Sequence, residues 1–277
     1  MDTIDTYTFC TVQPNVPFQD VQASLNIISS VLAEIFVNSS EDIDFLLLPE
    51  HFCRADEVGG LVPANYVIEF FEQLAQKHSV NIIGGSIETL NENEQRVNRC
   101  FIINRNGKVV GTYDKQKTLF FERMREVKRG RDPTILNLDG LRFAVEICAD
   151  LWFPELSRTL IEKEVDALFV PAMTTVISKD HTDYGRWLWH NLAVTRAREN
   201  IIPLIVSDHA LAYYEGYYAT CGASCIVDPS VRFTNAEGFS FQAFKSLSQG
   251  EKGRIISTIT LTKIQAYRDY RKEMGLL

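Results

Sequence analysis

The stretch Leu141-Arg-Phe-Ala-Val-Glu-Ile-Cys148-Ala-Asp-Leu-Trp-Phe-Pro-Glu155 decides how the chain is read, because an apolar run with the period of a strand stops on a cysteine and passes into a helix start. Leu141, Phe143, Val145 and Ile147 alternate with less apolar neighbours, and Pro154 followed by Glu155 suits the first turn of a helix. Cys148 is therefore expected in a strand-to-helix turn. There the backbone N–H groups and the positive end of the helix dipole favour a thiolate, and the same N–H groups can hold a developing oxyanion. A lone cysteine is otherwise most often an inert buried thiol. Its chemistry depends on which groups stand beside it.

Two further strands end on polar groups. Ile43-Asp-Phe-Leu-Leu-Leu48 is nearly continuously apolar, as a strand covered on both faces is, and it stops at Pro49-Glu50. That puts a carboxylate at the carboxyl end of a buried strand, where open α/β sheets hold their ligands. Arg99 to Asn104 and Lys108 to Tyr113 flank Asn106-Gly107, a hairpin signal, and the second hairpin strand runs into Asp114-Lys115-Gln-Lys117. Taken singly, Glu50 reads as well as a loop cap, and the two lysines as solvated surface groups. The order carboxylate, ammonium, thiol at three strand ends is what singles them out.

The remaining chain alternates in the same way. A strand over Thr6 to Val12 precedes a helix with Val21, Leu25, Ile28, Leu32 and Ile35 on one face, and a helical pattern from Val62 to His78 precedes a strand over Val80 to Ile87. Beyond Cys148, a helix through Leu156, Leu160 and Ile161 leads to a strand over Asp166 to Pro171. A polar loop from Thr175 to about Trp187, a helix over Trp189 to Asn200 and a strand over Ile202 to Ser207 follow. Strands over Cys221 to Asp228 and Val231 to Phe233 are expected around Pro229-Ser230, then a strand over Arg254 to Leu261 and a helix over Lys263 to Met274. The class is α/β with a mixed sheet or two sheets. No linker interrupts residues 1–277, so a single domain is expected.

Bulk composition excludes several functions. A formal charge of −8 and a pI near 5.2 argue against a nucleic-acid or anionic-membrane surface, which needs clustered Lys and Arg. No window approaches a transmembrane helix, and the first residues lack the pattern of a signal peptide, so a cytoplasmic location is the default. The six cysteines are scattered, which is poor support for disulfides. Only Cys221 and Cys225 are close, without a second pair at zinc-finger spacing. His181 and Asp183 in the polar loop are better read as hydrated than as metal ligands.

The ordered set resembles the nitrilase superfamily of carbon–nitrogen hydrolases. The matching pieces are Leu46-Leu-Leu-Pro-Glu50, Gly111-Thr-Tyr-Asp-Lys115-Gln-Lys-Thr-Leu-Phe120 and Val145-Glu-Ile-Cys148-Ala-Asp-Leu-Trp-Phe-Pro-Glu155. Trp189 with Thr195-Arg196-Ala-Arg-Glu199-Asn200, and Cys221-Gly-Ala-Ser224-Cys-Ile-Val-Asp-Pro229, extend the similarity over nearly the whole chain. The resemblance implies a four-layer α-β-β-α sandwich, paired with a second copy of the chain across a helical face, and no metal or organic cofactor.

Carried over residue by residue, the resemblance implies Cys148 as nucleophile, Glu50 as general acid and base, and Lys115 as oxyanion stabiliser beside the N–H of Ala149. Lys117 is the competing lysine. Glu122 is the best match to a second glutamate that orients the lysine, with Glu126 as its rival. His51, Phe52, Ala149, Trp152, Met173 and Thr174 are candidates to line the substrate pocket, although for the aromatics ordinary core packing is an equal reading. The implied activity is hydrolysis of a small amide or N-carbamoyl compound through a thioester. Nitrile hydrolysis and acyl transfer are the alternatives within the superfamily, and a catalytically silent binding protein is the alternative outside catalysis.

Overall fold

Period-two alternation sorts the side chains of the first strands between two cores. In the computed structural model, which describes residues 5–16, 20–37, 42–53, 60–214, 218–230 and 244–277, Tyr7, Phe9, Phe45 and Leu47 face one core. Cys10, Val12, Leu46 and Leu48 face the other. Both faces are covered, which is why the run ending at Leu48 is apolar without a break.

One sheet has seven strands. Its order is Gly253–Thr260, Thr6–Gln13, Phe45–Leu47, Asn81–Ile83, Arg96–Ile103 and Ile87–Leu90, with Val109–Asp114 also paired to Arg96–Ile103. The second sheet runs Phe244–Ser246, Cys225–Val227, Leu204–Ser207, Ala167–Pro171, Leu141–Val145 and Ile135–Leu138. Three neighbouring strands in each sheet are parallel: Thr6–Gln13, Phe45–Leu47 and Asn81–Ile83 in the first, and Leu141–Val145, Ala167–Pro171 and Leu204–Ser207 in the second. The sheets meet through aromatic rings, with Phe9 to Phe169 at 5.7 Å and Phe45 to Phe143 at 5.6 Å between centroids, both edge-on.

Helices complete the four layers. Val21–Val37 and Ala64–His78 cover the first sheet through Leu25, Ile28, Leu32, Val67, Phe71 and Ala75. Pro154–Glu162 and Thr182–Asn200 pack on the second through Leu160, Trp189, Ala193 and Ala197. The architecture is the α-β-β-α sandwich. The two sheets also bond directly: Ser207 Oγ donates to the Val12 carbonyl at 2.6 Å, and Thr11 Oγ1 to the Val206 carbonyl at 2.9 Å.

Three expectations change in detail, and a fourth falls outside the described residues. The strand expected over Val80 to Ile87 is two strands, Asn81–Ile83 and Ile87–Leu90, broken at Gly84-Gly85-Ser86. Gly85 has φ +59°, and a Cβ there would lie 2.2 Å from the Pro49 carbonyl oxygen. The break lets the turn carrying Glu50 pack close, and Ser86 pairs with Glu50 in an isolated bridge. The polar loop before Trp189 is largely helical, since the helix begins at Thr182 and a short 3-10 turn covers Lys179–His181. Its exposed Tyr184 and Trp187 blur the apolar stripe that marks a helix in sequence. The strand expected over Cys221 to Asp228 is confined to Cys225–Val227. The one expected over Val231 to Phe233 lies outside the described residues.

Candidate active site

Cys148 stands where the strand Leu141–Val145 passes into a 3-10 turn, Cys148–Trp152, ahead of the helix Pro154–Glu162. Its φ of +46° is a left-handed conformation that L residues adopt only when the surroundings enforce it. Asp150 does the enforcing. Its buried carboxylate accepts the N–H of Ile147 at 3.0 Å, the N–H of Lys117 at 2.6 Å, the N–H of Gln116 at 3.1 Å and the Tyr113 hydroxyl at 2.7 Å. One side chain thus staples the cysteine turn to the end of the strand that carries Lys115.

Glu50 is brought to the same place from the first sheet. Its N–H donates to the Ala172 carbonyl at 3.2 Å, and His209 Nε2 donates to its carbonyl at 2.7 Å. Both partners follow strands of the second sheet. The neighbouring Met173-Thr174 turn is held by buried Asp208, which accepts the Thr174 N–H at 2.9 Å, the Thr174 hydroxyl and the Ala223 N–H at 2.7 Å.

Lys115 is the centre of the cluster. Its Nζ donates to Glu50 Oε1 at 2.7 Å and to Glu122 Oε1 and Oε2 at 3.1 and 3.0 Å. Burial opposes the ammonium, but the carboxylates of Glu50 and Glu122 outweigh it and hold Lys115 above the ordinary lysine value. Burial likewise opposes the Glu122 carboxylate, and Lys115 together with the Asn98 amide keeps it below the usual range. Lys117, the rival lysine, is partly exposed and reaches Glu155 at 3.3 Å. Glu126, the rival glutamate, is exposed. The structure brings Glu50, Lys115, Glu122 and Cys148 together and leaves both rivals outside.

The thiol departs from expectation. Burial, then the Glu50 carboxylate, push Cys148 well above the ordinary thiol value, and the opposing pull of Lys115 does not offset them. A five-residue 3-10 turn supplies too little dipole to win against desolvation. The resting sulfur is therefore a thiol beside Glu50, and its Sγ donates to the Met173 carbonyl oxygen at 3.8 Å. A thiol, an adjacent carboxylate and a fixed ammonium make a set suited to forming and breaking an acyl–sulfur bond.

Of the expected pocket residues, Ala149 is buried in the cysteine turn, and His51 is half-buried with Nε2 3.9 Å from Glu50 Oε1. Met173 is half-buried beside the sulfur, while the Thr174 hydroxyl is engaged by Asp208. Trp152 is 44 % exposed and meets Trp189 edge-on at 6.0 Å. Phe52 is corrected to a core residue: it is fully buried against Phe71 at 5.2 Å, in the layer between the first sheet and its helices. Glu50, His51 and Glu122 offer donor atoms within 4.8 Å of one another, a spacing that suits a cation. The Lys115 ammonium already supplies one there. His181 and Asp183 join no such group among the described residues.

Asn98 and Asp150 were missed from sequence. Asn98 Nδ2 donates to Glu50 Oε1 at 2.8 Å and to Glu122 Oε1 at 2.9 Å. The signal was present: an amide on the same face of its strand as the buried Cys100 and Ile102 must find polar partners in the core.

Comparison with known proteins finds relatives in sequence and in fold. The chain is 27 % identical over 206 residues to the 2-oxoglutaramate amidase of Bacillus subtilis, covering 71 % of this chain and 75 % of that one. It is 26 % identical over 220 residues to the omega-amidase NIT3 of Saccharomyces cerevisiae, covering 73 % of each. The crystal structure of Saccharomyces cerevisiae Nit3, a member of the nitrilase superfamily, superposes with a TM-score of 0.77 at 21 % identity, over 96 % of this chain and 94 % of that one. No helix among the described residues is long and apolar enough to cross a membrane. The family model described as Carbon-nitrogen hydrolase matches residues 11–269, and the chain belongs to that family.

Proposed function

We propose that the chain is an amidase that hydrolyses a small carboxamide through a thioester on Cys148. The observation that carries this reading is the shared burial of the Cys148 thiol with the Glu50–Lys115–Glu122 cluster. Because the resting thiol is protonated, attack needs a base, and Glu50 is the carboxylate in contact with it. The S–H proton passes to Glu50 as sulfur bonds to the amide carbon, and the carbonyl electron pair moves to oxygen. Lys115 and the N–H of Ala149 hold that oxyanion. As the oxyanion collapses, the C–N bond breaks and the nitrogen takes the proton from Glu50, so ammonia leaves. Glu50 then deprotonates water, which attacks the thioester carbon. The C–S bond breaks, and the proton returns to sulfur. Glu122 keeps Lys115 charged and in place throughout.

A primary amide is the favoured substrate class, since the relatives described above are named as amidases, as is the deaminated glutathione amidase of Synechocystis, 28 % identical over 200 residues. All six cysteines are free and buried, which supports a reducing compartment such as the cytoplasm. The helix Thr182–Asn200 carries stacked Tyr184 and Trp187, 61 and 60 % exposed, and this supports a homodimer across that helical face. Light scattering of the purified chain checks it, and a monomer at all concentrations contradicts it. The activity is checked by ammonia release from a panel of ω-amides, carbamoyl amino acids and nitriles. Release from an amide, lost in Cys148→Ala, is expected. Release only from a nitrile, or undiminished release by Cys148→Ala, contradicts the reading.

A further inference from the structure

We infer that Asn98 is a positioning residue for Glu50: it closes a ring of four hydrogen bonds that leaves one defined oxygen of Glu50 to exchange protons with the thiol and the substrate. The role presupposes the thiol and carboxylate chemistry proposed above.

The ring is read from four distances. Glu50 Oε1 accepts from Lys115 Nζ at 2.7 Å and from Asn98 Nδ2 at 2.8 Å. Glu122 Oε1 accepts from the same two nitrogens, at 3.1 and 2.9 Å. Two donors alternate with two acceptors, and every atom of the ring belongs to a buried side chain. A primary amide suits this position because its two N–H bonds diverge from one nitrogen, so each reaches a different carboxylate. A hydroxyl has one proton to give. A second ammonium would over-neutralise the pair.

The amide orientation is forced. Turned over, its carbonyl oxygen would face two carboxylate oxygens. In the orientation present, Asn98 Oδ1 has no hydrogen-bond partner among the described residues. An orphaned buried acceptor is an expense for the fold, and it persists because the two N–H groups are needed where they are. The backbone sets the same arrangement, since Lys115 N–H donates to the Asn98 carbonyl at 2.9 Å. Both donors of the ring therefore ride side by side on one hairpin. The acceptors come from elsewhere, Glu50 from a strand end of the first sheet and Glu122 from the short helix Phe120–Met124.

The consequence falls on Glu50. With Oε1 saturated by an ammonium and an amide, Oε2 is the oxygen outside the ring. The carboxylate can pass protons there without turning about its own axis. Asn98 is neutral, so it adds nothing to the charge of the cluster. Its contribution is the direction in which Glu50 points, and it helps to keep the Glu122 carboxylate ionised.

The test is the pH dependence of kcat and KM for ammonia release from an amide turned over by the parent chain, in Asn98→Ala and Asn98→Asp. Asn98→Ala is expected to lower kcat by roughly 100-fold with KM within about threefold, as loss of an oriented base should. Its acid limb should move up in pH, because the Glu122 carboxylate, which the Asn98 amide helps keep ionised, has lost that donor. In Asn98→Asp the introduced carboxyl can donate only while protonated. The activity that remains should fall as pH rises, opposite in slope to the acid limb of the parent. Unchanged kcat and acid limb in Asn98→Ala overturn the inference. Should Asn98→Ala fail to fold, the near-isosteric Asn98→Asp decides, and a profile parallel to the parent's overturns it. Failure of the underlying function is separate: it would appear as undiminished turnover by Cys148→Ala.

Discussion

Lys115 Nζ lies 2.7 Å from Glu50 Oε1 with the two side chains only 1 and 3 % exposed, and this buried ion pair is what the rest of the site is arranged around. Two charges removed from water are not a dependable source of stability. The second carboxylate of Glu122 and the Asn98 amide make the arrangement a network in which each member depends on the others.

Removing the ammonium should therefore be costly in two ways. Lys115→Met is expected to abolish ammonia release and to destabilise the fold by about 3–5 kcal/mol, because two buried carboxylates are left facing each other. Lys117 pairs with Glu155, which is 60 % exposed. Lys117→Met should change stability by less than about 1 kcal/mol and only weaken turnover. Urea denaturation alongside the activity assay checks both, and the reverse pattern transfers the role to Lys117.

Glu122 and Glu126 separate in the same way. Glu122→Gln keeps the shape and removes the charge, so Lys115 loses one of its two supports. A fall in kcat of roughly 10- to 100-fold is expected, with folding preserved. Glu126 is exposed, and Glu126→Gln should leave kcat and KM as they were. A larger loss from Glu126→Gln contradicts the placement.

Glu146 predicts how stability depends on pH. Its carboxyl is pushed up to about 8 by burial, with the charge of Asp150 adding to the effect. One oxygen accepts the Ser157 hydroxyl at 2.9 Å, and the other has no hydrogen-bond partner among the described residues. An unfolded glutamate ionises near its ordinary value of about 4.3. Between that value and about 8 the folded chain holds the extra proton, so stability falls as pH rises through this window and levels off above it. Glu146→Gln should gain little near pH 4 and about 2–4 kcal/mol by pH 8 relative to the parent. Denaturation midpoints at the two pH values measure this, and an equal gain at both contradicts it.

What could be read from sequence follows the range of the interaction involved. Glu50, Lys115 and Cys148 were legible because each interrupts an apolar strand at its end, and the order of the three carries the resemblance to a four-layer sandwich. Asn98 and Asp150 act through contacts distant in sequence: Asn98 meets Glu50 across 48 positions, and Asp150 meets Tyr113 across 37. No local pattern announces such partners. The thiolate expected at Cys148 failed on burial, which a local reading of a helix start does not weigh. Phe52 was misplaced by its nearness to Glu50. The left-handed His51, φ +53°, lies between them, and Phe52 packs into the outer core. The helix start at Thr182 was hidden because its aromatic residues are exposed.

The central claim is that the sulfur of Cys148 carries the acyl group. Intact-protein mass spectrometry of the chain, quenched in acid during turnover of a good amide substrate, measures this most directly. The account predicts a mass increase equal to the acyl group, mapped to the peptide containing Cys148 and absent in Cys148→Ala. Full turnover by Cys148→Ala, or an acyl group mapped to any other residue, would contradict it.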